Sequence, residues 1–290
     1  MTTIWPLERQ YQNPHLFLPN SVKWAWGTKT FVMGIINATE DSFSGDGLKN
    51  RLGDAVALAK SFELAGVDVI DIGGASSRPG APATPIQVEI ENVVTVIKAI
   101  RNQTFLPISV DTTWASVAEK AVSAGANIVN DISGFQLDPE MANLVAEKKL
   151  PAVIMHNQRN RKHFDVVADV LKGLEKTLQI CDDAHVDKGN LIFDPGFGFG
   201  WSVHQNLELL QRLPEFWTLN LPLLIGTSRK SSIGTILDNK VNERRFGTAA
   251  TVAQAICAGV DVVRVHDAFE MSDVVAVTDA IVRRPIISES

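Results

Sequence analysis

At 290 residues, with 45% hydrophobic and 21% charged side chains, the chain has the composition of one large globular domain that needs no disulfide or metal to hold its core. A net charge of −6 excludes nucleic acid and an anionic membrane as main partners, and no run approaches the roughly 18 apolar residues of a membrane span. The two cysteines, Cys181 and Cys257, stand apart in apolar settings without metal spacing, which reads as buried thiols in a reducing cytoplasm.

In chain order, residues 1–30 come first and stand outside the rhythm that follows. Their start, MTTIWPLERQYQNPHLF, lacks the basic opening and apolar centre of a signal peptide. Trp5, Leu16, Phe17, Leu18, Trp24 and Trp26 are too apolar for a free tail. They predict a short N-terminal extension packed on the bottom or side of the main body, with a hairpin around Pro19 and Asn20.

Eight apolar runs then pace residues 31–290: 31–36, 67–73, 107–110, 127–129, 151–155, 191–193, 222–226 and 260–263. They run apolar without alternation, as strands buried on both faces do. The segments between them are long enough for helices. In 53–65, Leu58, Phe62 and Ala65 share a face; in 164–185, Val167, Leu171, Leu174, Leu178 and Cys181 do; in 268–283, Val274, Val277 and Ile281 do. Each stripe is taken as the face that packs inward. Eight strands alternating with helices predict a (β/α)8 TIM barrel, whose active site gathers at the C-terminal strand ends. Long glycine-rich linkers at 37–52 and 73–85 would then be functional loops.

The residues ending the runs are therefore the candidates. After the first run, NATEDSFSGDG (37–47) offers Asn37, Asp41, Ser42 and Ser44 to a phosphate or a Mg2+ ion, or forms a solvated turn. After the second, GGASSRPG (73–80) presents Arg78, a cationic fork suited to phosphate, or only a turn. Asp111, Asn130 and Asp194 end three further runs. One alone is often a helix cap; three facing one mouth suit the donor and acceptor edge of a flat heterocycle. DPGFGFG (194–200) is not the dinucleotide pattern, since it reads GxGxG; Phe197 or Phe199 is placed to stack on a ring. GTSRKSSIG (226–234) is not a Walker loop, and Lys230 is either a Schiff-base lysine or a hydrogen-bond donor to a ring. In RVHD (264–267), Arg264 and His266 alternate, so they share a strand face; with Arg78 they would form an anion clamp.

Together these motifs resemble dihydropteroate synthases. The resemblance covers about residues 31–284 and rests on MGIINATEDSFSGDG, DIGGASSRPGA, ISVDT, GANIVNDISG, VIMH, DPGFGFG, GTSRKSSIG and RVHD in that order. It implies an enzyme of folate biosynthesis that condenses 6-hydroxymethyl-7,8-dihydropterin pyrophosphate with p-aminobenzoate and releases pyrophosphate. It implies a pterin pocket of Asp111, Asn130, Met155, Asp194, Phe199 and Lys230. It implies a pyrophosphate site of Asn37, Arg78, Arg264 and His266, with Mg2+ near Asn37. The aminobenzoate would lie near Ser77, Pro79, Phe199, Lys230 and Ser231, and Asp111, Asp194, Lys230 and Arg264 would carry the chemistry. It implies a cytoplasmic homodimer joined through late helices.

The chain departs from the usual pattern at Glu40 (for proline), Gly45-Asp46, Ala75 (for glutamate), Ser77 (for threonine) and Trp201 (for lysine). These fall in the loops and rim. Three other readings compete: methyl transfer from a methyl-folate to a corrinoid partner, a Schiff-base aldolase using Lys230, and an inactive pterin-binding paralogue. The first has no need of SRKS or of the Arg264/His266 pair.

Overall fold

The computed structural model describes residues 9–38, 48–76 and 80–283. Eight strands form one parallel sheet: β3 (Phe31–Asn37), β4 (Val69–Gly73), β5 (Ile108–Asp111), β6 (Ile128–Asp131), β7 (Ala152–Met155), β8 (Leu191–Asp194), β9 (Leu224–Ile225) and β10 (Val262–Val265). From β3 to β8 each strand pairs with the next in the chain, β9 pairs with β10, and β10 pairs with β3. A bridge from Phe193 to Leu223 joins β8 to the approach to β9, which closes the barrel. All eight apolar runs thus become strands of a (β/α)8 barrel.

The helices are α1 (Leu48–Leu64), α2 (Ile86–Arg101), α3 (Ala115–Ala124), α4 (Glu140–Glu147), α5 (Val166–Asp183), α6 (Val203–Gln211), α7 (Ser231–Leu237), α8 (Arg245–Cys257) and α9 (Ala268–Val282). Local chemistry starts several of them. Asp165 accepts from the Ala168 N–H to cap α5, and Ser202 with Gln205 forms a capping box on α6.

Two apolar layers hold the body together. The larger lies between strands and helices. The smaller fills the N-terminal end of the barrel with Met33, Val69, Ile128, Val153, Ile192, Leu224 and Val262. A hairpin of β1 (His15–Phe17) and β2 (Lys23–Ala25), with Leu16 opposite Trp24, plugs that end. Trp24 stacks on Phe31 at 4.5 Å, and Trp26 meets both rings edge-on. Truncating a buried tryptophan of this kind usually costs about 3–5 kcal/mol. Arg9 and Tyr11 tie the hairpin down by hydrogen bonds to the two oxygens of buried Asp261.

The stripes on α1 and α5 pack inward as expected: Phe62, Val167, Leu174 and Cys181 are buried. The stripe on α9 does not. Val277 and Ile281 are 63% and 71% exposed, while Ala268, Met271, Val275, Thr278 and Val282 face the barrel. This helix is apolar around much of its girth, so two stripes satisfy the helical period and only packing chooses between them. Cys181 is buried, Cys257 half-buried, and both are free thiols.

Candidate active site

Strand register sets the mouth. Asp111 pairs with Gly73 on one side and Asn130 on the other, and Asp194 pairs with Met155. The side chains of Asp111, Asn130, Met155 and Asp194, at the ends of four successive strands, therefore meet at one opening.

Arg264 from β10 is its electrostatic centre. Its Nε donates to Asp71 Oδ2 and its second guanidinium nitrogen to Asp111 Oδ2, each at 2.6 Å. Asp71 is wholly buried, and the same Oδ2 accepts from Asn130 Nδ2 at 3.2 Å. Burial opposes the charge on Arg264, but the carboxylates of Asp71 and Asp111 hold its pKa above the ordinary arginine range. Burial raises the pKa of Asp111, opposed by Arg264 and reinforced by Asp71. Asp194 is raised to about 6 by burial, against the Gly196 N–H that it accepts at 2.8 Å and the charges of Lys230 and Arg264.

Lys230 is lowered to about 8, by burial first and by Arg264 next, with Asp194 opposing. Its Nζ lies 4.1 Å from the centre of the Phe199 ring, and the Arg159 guanidinium lies 4.6 Å from that centre. Phe199 is buried, on a loop whose glycines 196, 198 and 200 all have positive φ. The backbone must fold tightly there: a Cβ on Gly196 would lie 1.9 Å from the His156 carbonyl oxygen. Phe197, the other ring of that motif, turns into the core.

His266 is half-buried, with Nδ1 3.0 Å from Ser228 Oγ. Burial, then Arg264 and Arg229, lowers its pKa to about 3, so the ring is neutral near pH 7. Asn37 is exposed at the end of β3 and shares with His266, Arg229 and Asp267 a cavity of about 350 Å³. Ser231 is exposed at the first position of α7.

The structure thus brings Asp111, Asn130, Asp194, Met155, Phe199, Lys230 and Arg264 to one mouth, with Asn37, His266 and Ser231 on its rim. Ser77, Arg78, Pro79, Glu40, Asp41, Ser42, Ser44, Gly45 and Asp46 lie outside the described residues. Of the expected clamp, Arg264 is held by two carboxylates and His266 is neutral. Asp71 and Ser228 are partners that motif reading passed over. Asp71 carried a signal: a carboxylate inside a strand buried on both faces requires a cation or several donors. The Ser228–His266 contact spans 38 residues and leaves no local trace.

Such a mouth, with carboxylates, a lysine and an arginine gathered at the C-terminal strand ends, has the place and the polar groups of a (β/α)8-barrel active site. The chain belongs to the pterin binding enzyme family, whose sequence pattern matches residues 33–266. It is 44% identical over 259 residues to the dihydropteroate synthase of Clostridium beijerinckii, covering 89% of this chain and 96% of that protein. It is 44% identical over 256 residues to that of Bacillus subtilis, covering 88% and 90%. Among solved structures, dihydropteroate synthase from Xanthomonas albilineans with 4-aminobenzoic acid superposes with a TM-score of 0.88 at 37% identity, covering 94% of this chain and all of that one. The enzyme from Clostridium difficile in the presence of pteroic acid gives 0.87 at 39%, covering 90% of this chain and all of that one.

Proposed function

We propose that this mouth joins p-aminobenzoate to 6-hydroxymethyl-7,8-dihydropterin pyrophosphate. The activity is dihydropteroate synthesis, a transferase step of folate biosynthesis, as in the relatives. The observation that carries the site assignment is the convergence of Asp111, bound to Arg264 at 2.6 Å, with Asp194 and with Lys230 over the Phe199 ring at one opening.

Asp111, Asn130 and Asp194 read the edge of the pterin, Lys230 donates to it, and Met155 and Phe199 wall it. The bond from the pterin methylene to the diphosphate oxygen breaks ahead of the bond that the amine nitrogen then forms to that methylene. The oxygen keeps the electron pair and leaves with pyrophosphate; the amine proton passes to solvent. Positive charge that builds on the pterin is stabilised by Asp111 and Asp194. Asn37, Arg78, Arg264 and neutral His266 receive the departing anion, and Ser77, Pro79, Phe199 and Ser231 position the aminobenzoate. No enzyme nucleophile is needed, because orientation of the two substrates supplies the advantage.

Among the described residues no group of three His, Cys, Asp or Glu is placed to hold a metal. Mg2+ commonly takes one or two protein oxygens and completes its shell with substrate phosphates and water. Exposed Asn37, on the cavity it shares with His266, fits that role. Bound there, Mg2+ would neutralise charge on the diphosphate. No described helix is long and apolar enough to cross a membrane; the two free cysteines suit a reducing, cytoplasmic setting. The outward Phe269, Val277 and Ile281 of α9, with Phe246 of α8, suit a homodimer.

The test is pyrophosphate release from the pterin substrate with Mg2+, with and without p-aminobenzoate. Release that requires the amine and yields dihydropteroate is expected. No release, or release indifferent to the amine, overturns the assignment.

The pKa of Asp194 sets a pH dependence. A pterin that donates to the carboxylate favours its ionised form, so binding expels the proton that Asp194 carries below about pH 6. Affinity should therefore fall below pH 6, by at most about tenfold per unit for the Asp194 proton. Calorimetry from pH 5 to 8 checks it; a flat profile would contradict the role of Asp194.

A further inference from the structure

We infer that Asn206 of α6 is a positioning residue that clasps together the two segments flanking the aminobenzoate, an inference that rests on the synthase reading. Asn206 is 1% exposed and lies outside every motif that points to chemistry. Its amide is nevertheless fully engaged. Oδ1 accepts from the Gly198 N–H at 2.6 Å. The two Nδ2 hydrogens serve three acceptors, one hydrogen being shared: the Trp201 and Ser202 carbonyls at 3.2 and 2.9 Å and Ser232 Oγ at 3.0 Å. The Gly198 N–H can only donate, which fixes which end of the amide is oxygen.

One amide thereby spans two separate pieces of the mouth. Gly198 precedes Phe199 in the β8 loop, and Ser232 follows Lys230 and Ser231 at the start of α7. The pieces are in contact: Gly198 has φ +81°, and a Cβ there would lie 2.8 Å from Lys230 Cδ. Phe199 in turn lies under Lys230 Nζ. The gap between Phe199 and Ser231 is thus set by a side chain that touches neither substrate. Asp111, Asn130 and Asp194 sit on β5, β6 and β8 and draw their register from the sheet instead. Phe199 and Lys230 border the pterin as well, so loosening the clasp should disturb both sides, the aminobenzoate side more because Ser231 serves it alone while Asp111, Asn130 and Asp194 keep their register.

The split between the two Michaelis constants is the readout, since a general loosening of the fold would move both equally. In Asn206→Ala the KM for p-aminobenzoate should rise about tenfold, as expected for a buried hydrogen-bonding group left without its partner. The KM for the pterin diphosphate should rise less, by under about threefold, because three of its polar partners keep the register of the sheet. Ser232→Ala removes only the bond to α7 and should shift the same constant in the same direction, by less. The double variant should be no worse than Asn206→Ala alone, because both cut one link. If Asn206→Ala does not fold, Ser232→Ala decides by itself. Equal rises in both constants, no rise in folded variants, or additive losses in the double variant overturn the clasp alone. Wild-type protein that makes no dihydropteroate overturns the synthase reading and the clasp with it.

Discussion

Asp194→Asn should fold like the wild type and bind the pterin two to four orders of magnitude more weakly, about 3–5 kcal/mol, the range for removing one partner of a buried hydrogen-bonded charge pair at a binding site. The fold survives because the new amide oxygen can still accept the Gly196 N–H, now 2.8 Å from Asp194 Oδ1. Burial already strains the charge, raising this carboxyl to about 6, so a neutral isostere relieves desolvation. Binding fails for a different reason. Asparagine offers one acceptor where the carboxylate offers two, and its NH2 group faces donors of the ring. A site built around hydrogen bonds rejects a mismatch strongly, since its buried polar groups are left unpaired. The part of the fall below pH 6 that the Asp194 proton causes should vanish in the same variant, leaving a shallower profile. Calorimetry beside a thermal melt checks both; tight binding by a well-folded variant would remove Asp194 from the pocket.

The barrel was legible because parallel strands buried on both faces leave an unbroken apolar signature, and because a barrel exposes function only where those signatures stop. Asn37, Asp111 and Asp194 are each the last residue of a strand. The limits of such reading have physical causes. On α9, apolar residues surround the helix, so Val274–Val277–Ile281 and Met271–Val275–Thr278–Val282 fit the period equally and only the neighbouring strands select the second. Asp71 was hidden by its position inside an apolar run, although its burial demanded the partner that Arg264 supplies from 193 residues away. The neutrality of His266 follows from enclosure beside Arg264 and Arg229, which spacing along a strand does not reveal. Arg264 and His266 looked like two free cations for an anion. Packing makes one a bridge between carboxylates and the other an uncharged ring.

That bridge yields the second large effect. Arg264→Met should destabilise the protein by about 3–5 kcal/mol near pH 8 and lower kcat/KM by about a thousandfold. The stability loss arises in what stays behind. Asp71 is wholly buried and the Asp111 side chain only 15% exposed, and both lose the cation between them. Methionine fills the space of the arginine stem but offers no donor. Asn130 keeps its bond to Asp71, which is too little for two carboxylates. One of the pair should then take up a proton in the folded state that it does not hold in the unfolded chain. A carboxyl whose folded pKa is raised contributes stability that is present at low pH and lost as pH rises through that pKa. The deficit against wild type should therefore shrink from pH 8 to pH 5. Adding Asp71→Asn should recover part of it at pH 8, because a neutral amide removes one of the opposed charges. Arg264→Lys should rescue less than its charge suggests, since an ammonium cannot reproduce the fork that spans Asp71 and Asp111. Urea unfolding at the two pH values, beside turnover, separates these effects. A deficit that does not depend on pH would mean that Arg264 serves packing alone, and that Asp111 is held for the pterin by something other than the bridge.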